Sequence, residues 1–152
     1  MPLIRHPFPP SPDGAVALIS RACDPVRFLV IRRALTIDAP GWLCFPGGRI
    51  QSNEMPEQAA VRETLEETGL RVRAIRQVWT CRLSQGASLD WFLCRTIQPD
   101  PVVSLNLNEA DAFFWLTLEE IRGLDKTLPS IPVFLSGVET GAINLRFDEE
   151  AL

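Results

Sequence analysis

The chain has 152 residues and a mass of 17.0 kDa, enough for one buried core and too little for two ordinary domains. It is 46% hydrophobic and 22% charged, which excludes general disorder or a fibrous repeat, and no apolar run approaches the roughly 18 residues that span a bilayer. Fifteen Lys and Arg against 19 Asp and Glu leave a formal net charge of −4, a poor basis for nonspecific nucleic-acid or membrane-surface binding.

Residues 1–13 contain five of the 13 prolines and read as an extended leader, followed by one domain over 14–152. The leader has no apolar secretory core and no small-residue cleavage site, so a cytoplasmic location is expected. Gly14–Ser20 and Phe28–Arg32 are short apolar runs separated by Cys23-Asp24-Pro25, which predicts paired strands. A further short strand is expected at Trp42–Phe45, ended by Pro46-Gly47-Gly48. A helix is predicted from Pro56 to Thr68, with proline tolerated in the first turn and Gly69 at the C′ position. Val72–Leu83 and Leu89–Ile97 form a predicted hairpin around Ser84–Ser88. Phe113–Leu116 reads as a strand, and Thr117 with Glu120 forms a capping box that opens a helix to about Gly123. Ile131–Gly137 fits strand or helix. Strands interrupted by a central and a late helix indicate a mixed α/β layer architecture.

The four cysteines show no C-x-x-C spacing, and the one histidine, His6, lies in the leader. A Cys/His zinc site and a histidine-based nucleophilic triad are therefore set aside, and the cysteines read as buried thiols. Acidity is concentrated instead. Between Gly48 and Leu70, five glutamates face two arginines. On a helical wheel with Glu63 at zero, Glu67 falls near ~40° and Glu66 near ~300°, so the three carboxylates share a face. Val61 and Leu65 point the other way and are the expected buried stripe, while small Ala59 and Ala60 leave room beside the acids. Each like-charge pair costs on the order of 0.2–0.5 kcal/mol, and Glu66 and Glu67 also oppose the helix dipole. A hard divalent cation turns that repulsion into binding. Arg62 can neutralise Glu66 from one turn away, and Gly47-Gly48 can bring backbone close to a ligand.

Gly48, five residues, Glu54, seven residues, then Arg62-Glu63-Thr64-Leu65-Glu66-Glu67-Thr68-Gly69-Leu70 resembles the Nudix box, G-x5-E-x7-R-E-U-x-E-E-x-G-U, with U a bulky aliphatic. Thr64 is the single departure, and it bears on packing more than on chemistry. The stretch Gly41–Gly48 also resembles the lead-in to that box. The resemblance implies the Nudix fold, a mixed β-sheet sandwiched between α-helices, and hydrolysis of a nucleoside diphosphate linked to another moiety with Mg²⁺ or Mn²⁺. It implies Glu63, Glu66, Glu67 and the Gly48 carbonyl as metal ligands. Arg62 would hold the carboxylates, and Glu54 would brace the junction of loop and helix.

Glu109 is a candidate base or extra ligand on the loop before the Phe113 strand, with Asp111 close by. Arg32 and Arg33 are candidates for substrate phosphates. The four tryptophans are mostly expected in the core, with one available to stack on a base. The absence of Tyr disfavours diadenosine-polyphosphate hydrolases, and the absence of Pro between Leu70 and Pro99 disfavours ADP-ribose hydrolases. The motif of coenzyme A pyrophosphatases is only loosely echoed at Leu29–Asp38. A MutT-like hydrolase of a nucleoside triphosphate or related small nucleotide is left. No nucleic-acid or membrane partner is expected. The alternative is a Nudix-fold module that binds a nucleotide without turnover, and loss of a box glutamate would mark it; none is lost.

Overall fold

A computed structural model describes residues 3–4, 13–21, 23 and 25–146. Most of the leader, including His6, lies outside the described residues. Seven strands form one sheet: β1 (Gly14–Arg21), β2 (Arg27–Arg33), β3 (Leu43–Cys44), β4 (Gly47–Arg49), β5 (Val72–Arg82), β6 (Ser88–Thr96) and β7 (Ala110–Leu116). Among the described residues three helices accompany them: α1 (Pro56–Thr68), α2 (Leu118–Arg122) and α3 (Ser130–Thr140).

The main path of the sheet runs β3-β2-β1-β6-β5, with β4 on β1 and β7 on β2. β1 and β2 do pair, but only at Ser20↔Phe28 and Arg21↔Arg27. The long partner of β1 is β6, parallel from Gly14↔Leu89 to Ser20↔Arg95. Both strands are apolar on both faces through their middles, as a strand covered on two sides must be. The glycine pair expected to end a strand instead begins one. β4 runs antiparallel to β1 through Ala15↔Gly48 and Val16↔Gly47.

α1 keeps its predicted bounds because its signals are local. Pro56 occupies the first turn, Gln58 Oε1 accepts from the Met55 N–H at 2.8 Å, and Gly69 takes φ 72° with its N–H on the Leu65 carbonyl. Its orientation corrects the expected stripe. Leu65 is 40% exposed and Val61 only partly buried, while Ala59, Ala60, Thr64, Glu67 and Thr68 are the buried residues. The helix lies against β1, β4 and β5, and an approach over the glycines of β4 favours short side chains. The space beside Ala59 and Ala60 is therefore filled by the sheet.

The undecided segment near Ile131 is helix α3. Phe134 is fully buried and stacks on Trp91 with centroids 4.9 Å apart, while Phe45 meets both rings edge-on. Trp91 is thus core, whereas Trp42, Trp79 and Trp115 are only partly buried. Cys44, Cys81 and Cys94 are buried as expected, but Cys23 is exposed in the turn after β1. Thr117 caps α2 as read, with its Oγ1 accepting from the Glu120 N–H at 3.1 Å.

Candidate active site

The site forms where α1 crosses β4. A Cβ on Gly47 would collide with the Ala15 carbonyl, and one on Gly48 would stand 2.5 Å from the Glu63 carboxyl carbon. The glycine pair therefore lets a carboxylate rest directly on the backbone, a closeness any side chain would block.

Arg62 organises the acids. Its Nε and Nη2 donate to both oxygens of Glu54 at 2.7 and 2.9 Å, a forked pair. Nη1 donates to Glu63 at 2.9 Å and to Glu66 at 3.2 Å, and Nη2 also reaches the Arg49 carbonyl at 2.8 Å. The Arg62 guanidinium, aided by the Gln51 N–H, pulls the Glu54 carboxyl down to about 2. Glu54 is thus a permanent anion that fixes Arg62 and ties the loop to the helix. These Arg62 bonds run to three glutamates of the box and to the backbone at the end of β4.

Glu67 faces inward and is only 8% exposed. Its side chain accepts from the Gly47 N–H at 2.9 Å. Burial pushes its carboxyl up to about 8 against that bond, and the negative charges of Glu63 and Glu109 push the same way. Burial also raises Glu63, opposed by Arg62 and reinforced by Glu66 and Glu109. Glu66, with its side chain 49% exposed, stands at the solvent edge.

Glu109 joins this cluster from a distant loop. The Ser104 N–H donates to the Thr68 carbonyl at 2.8 Å and the Asn106 N–H to the Glu67 carbonyl at 2.9 Å, which sews that loop to the end of α1. The Ala34 N–H then takes the Glu109 carbonyl at 2.9 Å. Glu109 Oε2 is buried without a hydrogen-bond partner. The two arginines of β2 separate, because neighbours on a strand point to opposite faces. Arg33 lines a cavity beside the cluster. Arg32 does not; its Nε donates to Asp111 at 2.6 Å in an exposed pair.

The donor set is all oxygen, carboxylates with a nearby backbone carbonyl, which suits Mg²⁺ or Mn²⁺ and not a thiophilic metal. An orphaned buried carboxylate oxygen on Glu109 and the glycine cradle under Glu63 both fit such an ion. Among the described residues, no three His, Cys, Asp or Glu side chains are grouped closely enough to hold a metal ion as they stand. Arg62 holds Glu63 and Glu66, and the Gly47 N–H holds Glu67.

The adjoining cavity measures about 270 Å³. Val16, Leu89, Trp91, Leu128 and Ile131 supply apolar wall, and Gly47, Gly48 and Glu67 close the end that meets the carboxylates. Arg33, Asp38, Arg49 and Ser130 add polar groups. Cys44 also lines it, but burial pushes its thiol up to about 12, so it offers little thiolate even beside Arg33. Asp38, Cys44, Ser130 and Trp91 were not singled out from sequence as one wall. They come from four separate segments, and no local spacing announces them.

A family model for the NUDIX domain matches residues 11–135. A MutT-like protein of Streptomyces ambofaciens is 34% identical over 96 residues, covering 62% of this chain and 58% of that protein. An 8-oxo-dGTP diphosphatase of Escherichia coli K12 is 49% identical over 44 residues, 29% of this chain and 34% of that enzyme. The chain thus spans less than two thirds of these curated relatives. The solved MutT protein of Methanosarcina mazei Go1 superposes with a TM-score of 0.67 at 22% identity, over 93% of this chain and 96% of that one, a likeness of fold. With the intact box, the glycine cradle and a family match running from the leader into α3, the chain belongs to the Nudix family.

Proposed function

We propose that the protein is a divalent-cation-dependent pyrophosphohydrolase that cleaves a nucleoside triphosphate or a related small nucleotide. The observation that carries this reading is the gathering of Glu63, Glu67 and Glu109, partly or fully withdrawn from water, beside a cavity of nucleobase size. A fold under stability pressure alone gains nothing from three acids raising one another's proton affinity. The MutT-like and diphosphatase names of its relatives support the same reaction class.

Glu63, Glu66, Glu67 and the Gly48 carbonyl would hold Mg²⁺ or Mn²⁺. Bound there, the cation supplies charge neutralisation at the phosphoryl oxygens and a lowered pKa for water. The remaining work belongs to the chain. Arg62 orients Glu63 and Glu66 through its Nη1, which donates to both, while its fork is fixed on Glu54. Glu109, with an uncommitted oxygen, accepts a proton from the attacking water as its oxygen bonds to phosphorus and the bridging P–O bond breaks. The leaving phosphate departs with the bridging oxygen. Arg33, at the junction of cavity and carboxylates, pairs with a substrate phosphate. The apolar wall seats the base and keeps bulk water from it. Asp111 already occupies Arg32, which makes Arg33 the better phosphate partner.

The test is release of phosphate or pyrophosphate over a panel of nucleotides with Mg²⁺. Turnover should fall by at least roughly 100-fold in Glu67→Gln while the fold is retained. Binding without turnover of any nucleotide would favour a ligand-binding module and refute the hydrolase.

A further inference from the structure

An edge strand offers a row of unpaired N–H and C=O groups to any second strand, and proteins blunt such edges with bulges, charges or short length. The edges of this sheet are not alike. β5 is blunted: its register slips between Ala74 and Arg76 and again between Gln77 and Trp79, it carries Arg73, Arg76 and Arg82, and Ile4 bridges Leu83 just beyond its end. β3 and β4 have only two and three residues. β7 has no such protection. Among the described residues it pairs only with β2, in a register unbroken from Phe28↔Leu116 to Arg32↔Ala112. That stretch, Ala112-Phe113-Phe114-Trp115-Leu116, contains no charge and no proline. At its middle Phe113 and Phe114 are 41% and 40% exposed, one on each face of the sheet.

The pattern of side chains along β7 is complementary to itself. In an antiparallel pair each residue points both its N–H and its C=O to one edge, and successive residues alternate between edges. Two copies of one strand meeting by the same edge therefore place their axis through a residue, never between two. An axis at Phe113 sets Phe113 against its own copy and seats Phe114 opposite the small Ala112 of the second chain, twice over by symmetry. An axis at Phe114 would set large ring against large ring at every central position. An axis at Ala112 would lay Phe113 on the bulge at Asp111.

Charge favours the same arrangement. Asp111 is the one charged residue of β7, and Arg32 takes one of its oxygens. Pairing about Phe113 brings Asp111 to the Trp115 end of the second copy. There the Arg21 guanidinium lies over the Trp115 ring, 5.5 Å from its centroid, and no ion pair holds it among the described residues. An acid at one end of the strand thus meets a cation at the other. We propose that β7 is the interface of a homodimer, in which two copies of the chain pair antiparallel about a two-fold axis at Phe113 and join their sheets into one.

The experiment is sedimentation equilibrium of the full chain over a wide range of concentration, with amide hydrogen exchange on the same samples. The parent should pass from monomer to dimer, and the β7 amides should exchange more slowly as it does. Phe113→Lys and Phe113→Glu each set like charges together on the axis and should weaken self-association by at least roughly 30-fold. Mixed in equal amounts, the two variants should form a heterodimer, because the new charges are then opposite. A chain that was merely misfolded is not rescued by mixing, and melting curves of each variant check the fold directly. A parent that stays monomeric at every concentration overturns the proposal, even if its β7 edge takes up an added extended peptide. A dimer that survives both substitutions, or a mixture that stays monomeric, overturns it as well.

Discussion

Thr64 is where this chain departs from the aliphatic of its box, and the departure carries a measurable cost. Its side chain is fully buried on the sheet side of α1, and Oγ1 has no hydrogen-bond partner. Thr68, one turn on, does find a partner, its Oγ1 donating to the Thr64 carbonyl at 2.6 Å. An unsatisfied buried hydroxyl costs about 1–3 kcal/mol. Valine has nearly the same shape and helix propensity, so Thr64→Val removes that penalty and adds little else. The expected gain is about 1–2 kcal/mol. At roughly 2–4 °C per kcal/mol for a domain of this size, the melting temperature should rise by about 2–8 °C. Thr64→Ser keeps the hydroxyl and deletes a packed methyl, so it should lose about 1 kcal/mol or more. Denaturant unfolding of the three proteins, with unchanged m-values, reads the difference. Equal or lower stability of Thr64→Val would mean that the hydroxyl has a partner, and the argument from burial would fall.

Two further outcomes follow from the same geometry. Glu67 titrates near 8 in the fold, whereas an unfolded glutamate titrates near ~4.3, so the folded state holds the extra proton between those values. Stability of the metal-free protein from this group is therefore fully present below the unfolded pKa. It is lost as pH rises towards 8, by at most about 1.4 kcal/mol per pH unit. Added Mg²⁺, which binds the carboxylate form, should restore it and release protons on binding. Melting curves in chelator that stay flat from pH 5 to 8 would contradict this. Gly48→Ala forces a methyl to 2.5 Å from the Glu63 carboxyl carbon and should cut turnover by at least roughly 10-fold. Gly123→Ala is the control, since its Cβ would meet nothing closer than 3.6 Å and its φ is −82°. An active Gly48→Ala would show that the close approach is dispensable.

Local chemistry was legible before any fold was known. α1 runs from Pro56 to Thr68 because a first-turn proline, good helix formers and a C′ glycine act within a few residues of one another. The Thr117–Glu120 cap is local in the same sense. The acidic face could be read because like charges at helical spacing conflict with stability wherever the helix packs. What α1 packs against could not be read. Val61 and Leu65 make the more apolar stripe, yet the helix buries alanines, Thr64 and Glu67 because its partner is the glycine backbone of β4. Ile131–Gly137 carried no decisive period, and contact with Trp91 and Phe45 accompanies its helical form. Backbone bonds to the end of α1 bring the Glu109 loop beside Glu67, and Asp38 and Ser130 line one cavity from far-apart segments. Sequence alone settled which side chains form the acidic motif, since that spacing is set by one helix. Tertiary structure alone decided which carboxylates leave water and what faces them, because burial depends on partners contributed by distant parts of the chain.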